Sequence, residues 1–216
     1  MTALRYRYRT IEFGKTDIHL RTLRDKQQYS DDDGIATELG ISSANWPLFG
    51  VIWDSSKVLA KFMFEYEIEN KRILEIGCGM ALSSHMLNQR LADITATDYH
   101  PEVEDFLLKN IALNEGKKIP FIRTGWADKD NGLGKFDVII GSDLLYESVH
   151  VDLLSNFINN HTKPHCEIII VDPGRGNHAR FSKRMVSLGY AHSQSKPDDV
   201  SYLSKPFKGQ ILQYLR

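Results

Sequence analysis

The residues with the clearest chemical content form one short run, Glu75-Ile76-Gly77-Cys78-Gly79-Met80-Ala81. It follows a short apolar stretch, Ile73 to Ile76, and opens a helical pattern from Leu82 to Gln89. Glycines between a strand and a helix permit a tight turn and let a ligand approach the backbone closely. A second acid, Asp98, ends the next apolar stretch, Ile94-Thr95-Ala96-Thr97. It stands about 20 residues beyond the glycines, where an α/β nucleotide site places a carboxylate on ribose hydroxyls. A lone Gly-x-Gly is ordinarily a plain loop. Strand, turn, helix, strand and acid in that order point instead to a nucleoside-type ligand.

The flanking residues narrow the ligand. A dinucleotide fingerprint calls for glycine at position 82, where this chain has Leu82. Glu75, two residues before the first glycine, would repel a pyrophosphate. An anionic rim suits a ligand bearing a sulfonium and an amino group. This reading favours S-adenosylmethionine over NAD as the cofactor.

The surrounding pattern supplies the elements that hold such a site. Tyr6 to Phe13 and Ile18 to Leu20 flank Gly14-Lys15 and read as a β-hairpin. Asp31-Asp32-Asp33-Gly34 reads as a solvated loop. Asp54-Ser55-Ser56 offers N-cap candidates for a helix carrying Val58, Leu59, Phe62 and Met63. From Arg72 onward strands alternate with helices. Pro101 suits the first turn of a helix running to about Asn114. Strands are expected at Ile119 to Ile122, Phe136 to Ile140 and Ile168 to Val171, and helices near Val151 to Ile158 and His178 to Leu188. The very apolar Ile168-Ile169-Ile170-Val171 fits a strand covered on both faces. Tyr190 to Ser195 and Gln210 to Leu215 supply two last strands, too close in sequence for a helical crossover, so that pair is expected to be antiparallel. The fold class is α/β: a Rossmann-like, doubly wound seven-stranded sheet, mostly parallel with an antiparallel final strand. Residues 1–70 form an N-terminal hairpin and covering helix, and residues 71–216 form the cofactor-binding domain.

Composition excludes several classes. The 216 residues carry 27 Lys+Arg against 28 Asp+Glu, a formal net charge of -1, so no global basic field points to nucleic acid. Two cysteines, Cys78 and Cys166, show neither metal-ligand spacing nor a disulfide framework, and suit a reducing compartment. Arg5-Tyr6-Arg7-Tyr8-Arg9 alternates like a strand rather than a transit helix, and no stretch is long enough to span a bilayer. The expected location is the cytoplasm, and a monomer is the favoured state.

With Glu75-x-Gly77-x-Gly79 and Asp98 in place, the chain resembles the seven-stranded S-adenosylmethionine-dependent methyltransferases, over nearly its whole length. Ala81 stands where that superfamily usually has a third glycine. Gly141-Ser142-Asp143-Leu144-Leu145-Tyr146 resembles the Asp-x-x-Tyr motif of its protein-lysine methyltransferases, which modify chaperones, elongation factors and the electron transfer flavoprotein β-subunit. Ile52 to Ala60 is similar to their tryptophan-led segment, although Asp54 replaces a common proline. The resemblance implies cofactor contacts from Trp53, Glu75, Gly77, Cys78, Gly79, Asp98, Tyr99, Trp126 and Ser142. It implies catalytic places for Asp143, meeting the incoming ammonium, and Tyr146, walling the acceptor channel. Asp172-Pro173-Gly174-Arg175 is reminiscent of the flavoprotein-modifying branch, and is also a good turn sequence. The partner implied is a protein substrate.

Other readings stand beside these. Trp53 and Trp126 fit core anchors as well as cofactor contacts. Cys78 reads as a small packing residue rather than a nucleophile. His19, His100, His150 and His178 show no partner pattern and receive no catalytic role. A small-molecule N-methyltransferase acting on a nicotinamide-like amine is the main alternative function. The short segment before residue 70 leaves little chain for a lid, which favours a protein side chain as acceptor. A DNA adenine methyltransferase would need Asn-Pro-Pro-Tyr or a similar motif where Ser142 to Tyr146 stands. A non-enzymatic cofactor-binding module is disfavoured by the presence of both Asp143 and Tyr146, and a dehydrogenase by Leu82.

Overall fold

The alternation of apolar residues along each central strand decides the layer arrangement. A computed structural model describes residues 4–25, 29–129 and 131–216. Strands β1 (Tyr6–Phe13) and β2 (Thr16–Leu23) form an antiparallel hairpin closed at Gly14, whose φ of 59° favours glycine. A short helix α1 (Ile35–Glu38) and a 3-10 turn (Leu48–Gly50) lead to α2 (Asp54–Glu65). Then follow β3 (Arg72–Ile76), α3 (Leu82–Gln89), β4 (Asp93–Asp98), α4 (Val103–Leu113), β5 (Phe121–Arg123), β6 (Phe136–Ser142), α5 (His150–His161), β7 (Thr162–Asp172), α6 (His178–Ser187), β8 (Ala191–Ser195) and β9 (Gln210–Leu215).

The seven-stranded sheet has the order β5-β4-β3-β6-β7-β9-β8. Strands β3 to β7 run parallel, and β9, last in the chain, inserts antiparallel to both β7 and β8. The doubly wound sheet with an antiparallel final strand is therefore as the sequence reading has it. Period-two alternation sends neighbouring residues to opposite faces. Ile73, Val138, Ile140, Ile169 and Val171 join the core under the hairpin, α2, α3 and α4. Leu74, Ile139, Ile168 and Ile170 join the core under α5 and α6. The order reverses beside β3, between β4 and β6. That switch point opens a crevice at the carboxyl ends of the strands.

Several local features differ from the sequence reading. Residue Trp53, not one of Asp54 to Ser56, occupies the N-cap of α2, with no side-chain cap. Asp54 instead sits in the first turn, where a carboxylate suits the helix dipole, and pairs with Lys57 at 2.9 Å. Asp31 is more than a solvated loop residue: its carboxylate accepts the Ala36 and Thr37 N–H groups, each at 2.8 Å, and so closes the start of α1. The third parallel strand begins at Phe121, after Pro120, rather than at Ile119.

Side-chain amides on one helix fix the hairpin to the domain. Asn110 Oδ1 accepts the Arg21 N–H at 2.7 Å, and Asn114 Oδ1 accepts the His19 N–H at 2.8 Å. Asn114 also donates to the His19 carbonyl at 2.7 Å. Residues four apart on a helix share a face, and residues two apart on a strand share an edge. Asn110 on α4 and Asn114 at its C-cap thus satisfy the outer edge of β2 as a further strand would.

Candidate active site

A cavity of about 610 Å³ occupies the switch point, within the usual range of about 300–1,000 Å³ for ligand sites. Its floor is the turn after β3. Gly77, Gly79 and Ala81 have φ of 57°, 51° and 53°, all in the left-handed region. A Cβ on Gly77 would stand 2.6 Å from Leu144 Cδ2, and one on Gly79 would lie 3.2 Å from the Phe49 carbonyl oxygen. Only glycine leaves this floor open. Ala81 adopts the same strained conformation with its methyl fully buried.

The end of β4 braces the turn. Cys78 N–H donates to the Thr97 carbonyl at 2.9 Å, and Gly79 N–H donates to Asp98 Oδ2 at 2.8 Å. The other Asp98 oxygen accepts His100 N–H at 2.9 Å. Burial pushes the Asp98 carboxyl up, against these hydrogen bonds, which hold it down. Asp98 is one of the residues lining the cavity. Beneath the floor, Glu75 Oε2 accepts Ser84 N–H at 2.9 Å and the Ser84 hydroxyl. Burial pushes Glu75 up to about 7.

Two aromatic walls flank the floor. His100 stacks on Phe49 with ring centres 4.1 Å apart, and burial lowers its pKa to about 4. Its Nδ1 accepts Glu102 N–H at 3.2 Å, which leaves the proton on Nε2. Tyr99 donates its hydroxyl to the Leu39 carbonyl at 2.8 Å. Opposite, Trp126 and Tyr146 both meet His150 edge-on, at 5.2 and 5.1 Å between ring centres. Tyr146 is 44% exposed at the rim, and burial of its hydroxyl end pushes it up to about 12, so it stays a phenol at neutral pH.

At the mouth, Asp143 has a φ of 57° and donates its N–H to the Val171 carbonyl at 2.9 Å. Arg175 grips its carboxylate with both arms of the guanidinium, Nε to Oδ1 at 2.7 Å and Nη2 to Oδ2 at 2.9 Å. Asp172 Oδ2 accepts Gly174 N–H at 2.9 Å and Arg175 N–H at 3.3 Å, which sets the loop carrying that arginine.

The cavity brings together Trp53, Gly77, Cys78, Gly79, Asp98, Tyr99, Trp126, Ser142, Asp143 and Tyr146. Glu75 is not among its lining residues; it acts from below, on the start of α3. Sequence reasoning missed Arg175 as the partner of Asp143, and His100 as a wall. It also missed the segment 40–51, whose Gly40, Ile41, Asn45 and Phe49 close one side. The Asp-Pro-Gly-Arg turn was the available signal for Arg175; His100 and segment 40–51 carry no periodic pattern. The acids lining the cavity are Asp98, Asp128, Asp143 and Glu147, against Arg175 as the lysine or arginine among the lining residues. That balance suits a cationic ligand.

Part of the sequence matches relatives with known names. The chain is 33% identical over 117 residues to a histidine protein methyltransferase 1 homolog of Dictyostelium discoideum, covering 51% of this chain and 38% of that protein. It is 30% identical over 115 residues to the protein N-lysine methyltransferase METTL21A of Danio rerio, 48% of this chain and 52% of the relative. It is 24% identical over 142 residues to the electron transfer flavoprotein beta subunit lysine methyltransferase of Mus musculus, 64% and 55% respectively. The chain spans about half the length of the curated relatives it matches. Among solved structures, a methyltransferase from Pyrococcus furiosus superposes with a TM-score of 0.57 at 19% identity, over 73% of this chain and 82% of that one. Magnesium protoporphyrin IX methyltransferase from Synechocystis PCC 6803, with bound SAM, gives 0.58 at 18% identity, over 74% and 77%. These two share the fold. A family model described as lysine methyltransferase matches residues 39–186, more than half of the sequence, and the chain belongs to that family.

Proposed function

We propose that this protein is an S-adenosylmethionine-dependent methyltransferase that modifies a lysine side chain of a protein substrate. The observation that carries the proposal is the anionic cavity over a floor that only glycine leaves open. When bound, the donor supplies an activated methyl group on sulfur and departs as S-adenosylhomocysteine. The residues present fit it. The Asp98 carboxylate lines the cavity as an acceptor for ribose hydroxyls, with the His100 ring at the same wall. Trp53, Gly77 to Gly79, Tyr99, Trp126 and Ser142 complete the donor side.

Asp143 and Tyr146 form the acceptor side. Asp143 accepts an N–H from the amine and aims its lone pair, while the Tyr146 ring walls the approach. The exposed Tyr146 at the rim leaves the mouth reachable by a side chain on a large partner. The low cysteine content fits the cytoplasm as the working compartment. Residues 1–70 act as the covering extension of the domain formed by residues 71–216.

Incubation with cell extract and methyl-labelled donor tests the proposal. Label in a protein band, released on hydrolysis as methyl-lysine, is the expected result. Methyl-histidine would move the acceptor to an imidazole, and label confined to small molecules would overturn the protein substrate in favour of a small amine.

A further inference from the structure

The Asp143 carboxylate is already occupied. Both its oxygens are held by Arg175, and its side chain is only 11% exposed. A carboxylate waiting for an ammonium ion would gain from standing alone, because an opposite charge at close range favours the protonated amine. A protonated amine, however, has no lone pair with which to attack a methyl group. A carboxylate already paired with a guanidinium attracts a second cation weakly, yet its remaining lone pairs still accept an N–H from a neutral amine.

We propose that Arg175 is a specificity-determining residue that makes the acceptor subsite take the neutral form of the incoming amine. This rests on the functional reading above. The loop that carries Arg175 is held on both sides. Asp172, at the end of β7, fixes its backbone, and Asn177 on the same loop donates to the Leu145 carbonyl at 2.8 Å, stitching this loop to the one that bears Asp143. The Arg175 side chain is 43% exposed, and a competing ammonium would have to displace the two-pronged bond to Asp143. The proton of the free lysine therefore goes to water as the amine enters.

Other charged and titratable groups face this corner. Asp172 lies behind the guanidinium, bonded to backbone N–H groups, with His178 3.8 Å from it. Glu147 lies 3.5 Å from His150 at the rim, the Tyr146 phenol stands beside Asp143, and Asp98 sits across the floor. All of these residues are retained when Arg175 alone is replaced; the Tyr146 phenol, which the Arg175 charge holds down, moves further up and stays protonated.

The test counts protons. The protein saturated with S-adenosylhomocysteine is titrated calorimetrically with an N-acetylated, C-amidated peptide containing one lysine, at a pH of about 9, in buffers of different ionisation enthalpy. A free lysine of pKa about 10.4 is mostly protonated there, and a downward shift of about two to three units on binding releases most of one proton. The wild-type protein is expected to release it. Arg175→Gln is expected to release none and to bind the peptide several-fold more tightly, because Asp143 then stands free for the ammonium. Arg175→Lys keeps the cation and the release. Equal release by wild type and Arg175→Gln, or none by wild type, overturns the proposal. Loss of S-adenosylhomocysteine binding by the wild type would instead overturn the functional reading itself.

Discussion

Gly79 and Asp98 are joined by a hydrogen bond of 2.8 Å from the glycine N–H to Oδ2, which locks the turn after β3 to the end of β4. The bond explains why the glycine turn and the distant acid belong to one site. It shapes the floor, and the carboxylate is among the residues that line the cavity. The parallel pairing of Ile76 with Thr97 brings these two strand ends side by side.

Replacing Asp98 by alanine removes that brace together with the lone pairs for the ligand. Hydrogen bonds to a charged group contribute about 1.5–3 kcal/mol each. Binding of S-adenosylhomocysteine is expected to weaken by at least about tenfold, read by calorimetry. Unchanged affinity would remove Asp98 from the donor site.

Asp143→Asn tests the acceptor side. Asparagine tolerates the left-handed φ of 57°, so the backbone is preserved. Methyl transfer is expected to fall by roughly 100-fold, a size typical of losing a positioning or proton-handling group, while S-adenosylhomocysteine affinity stays the same. Full activity would reject the role.

Glu75 gives a pH signature in stability. Its folded pKa of about 7 lies above the ordinary 4.5, so the folded state holds the proton more tightly than the unfolded chain. The resulting stabilisation is complete below about 4.5 and is lost as pH rises through about 7, a total of about 3 kcal/mol. Glu75→Gln keeps an oxygen for Ser84 and cannot ionise. Its denaturant stability is expected to lose that slope between pH 5 and 8, and to exceed the wild type at pH 8. Asp98 shifts in the same direction but is common to both proteins. Parallel pH profiles would contradict the assignment.

Asn110→Ala leaves the Arg21 N–H at the hairpin edge without its partner, in a fully buried position. A buried donor left unsatisfied costs about 1–3 kcal/mol. A fall of that size in unfolding free energy is expected; no change would show that the hairpin is held by packing alone.

The central strands were legible because their two-residue alternation and apolar runs leave few alternatives. Strand β7 shows where that ends. Only Ile168 to Val171 reads as strand, while the polar Thr162 to Glu167 with Pro164 is recruited by pairing that shifts register before Val138. The N-cap of α2 was misplaced by two general preferences: Asp and Ser favour caps, but here the bend falls at Trp53.

The site was legible where function requires special backbone. Glycines at left-handed φ and acids at strand ends leave marks in sequence. The Asp143–Arg175 pair does not, because two residues 32 apart meet only through the adjacency of β6 and β7. Nor does segment 40–51, whose place depends on tertiary contacts such as the Trp53 indole N–H on the Leu48 carbonyl at 3.2 Å.

Calorimetric titration with S-adenosylhomocysteine, beside a parallel titration with NADH, tests the nucleoside cavity most directly. Saturable one-to-one binding of S-adenosylhomocysteine and no binding of NADH is the expected result. Tight NADH binding with no heat from S-adenosylhomocysteine would contradict the account.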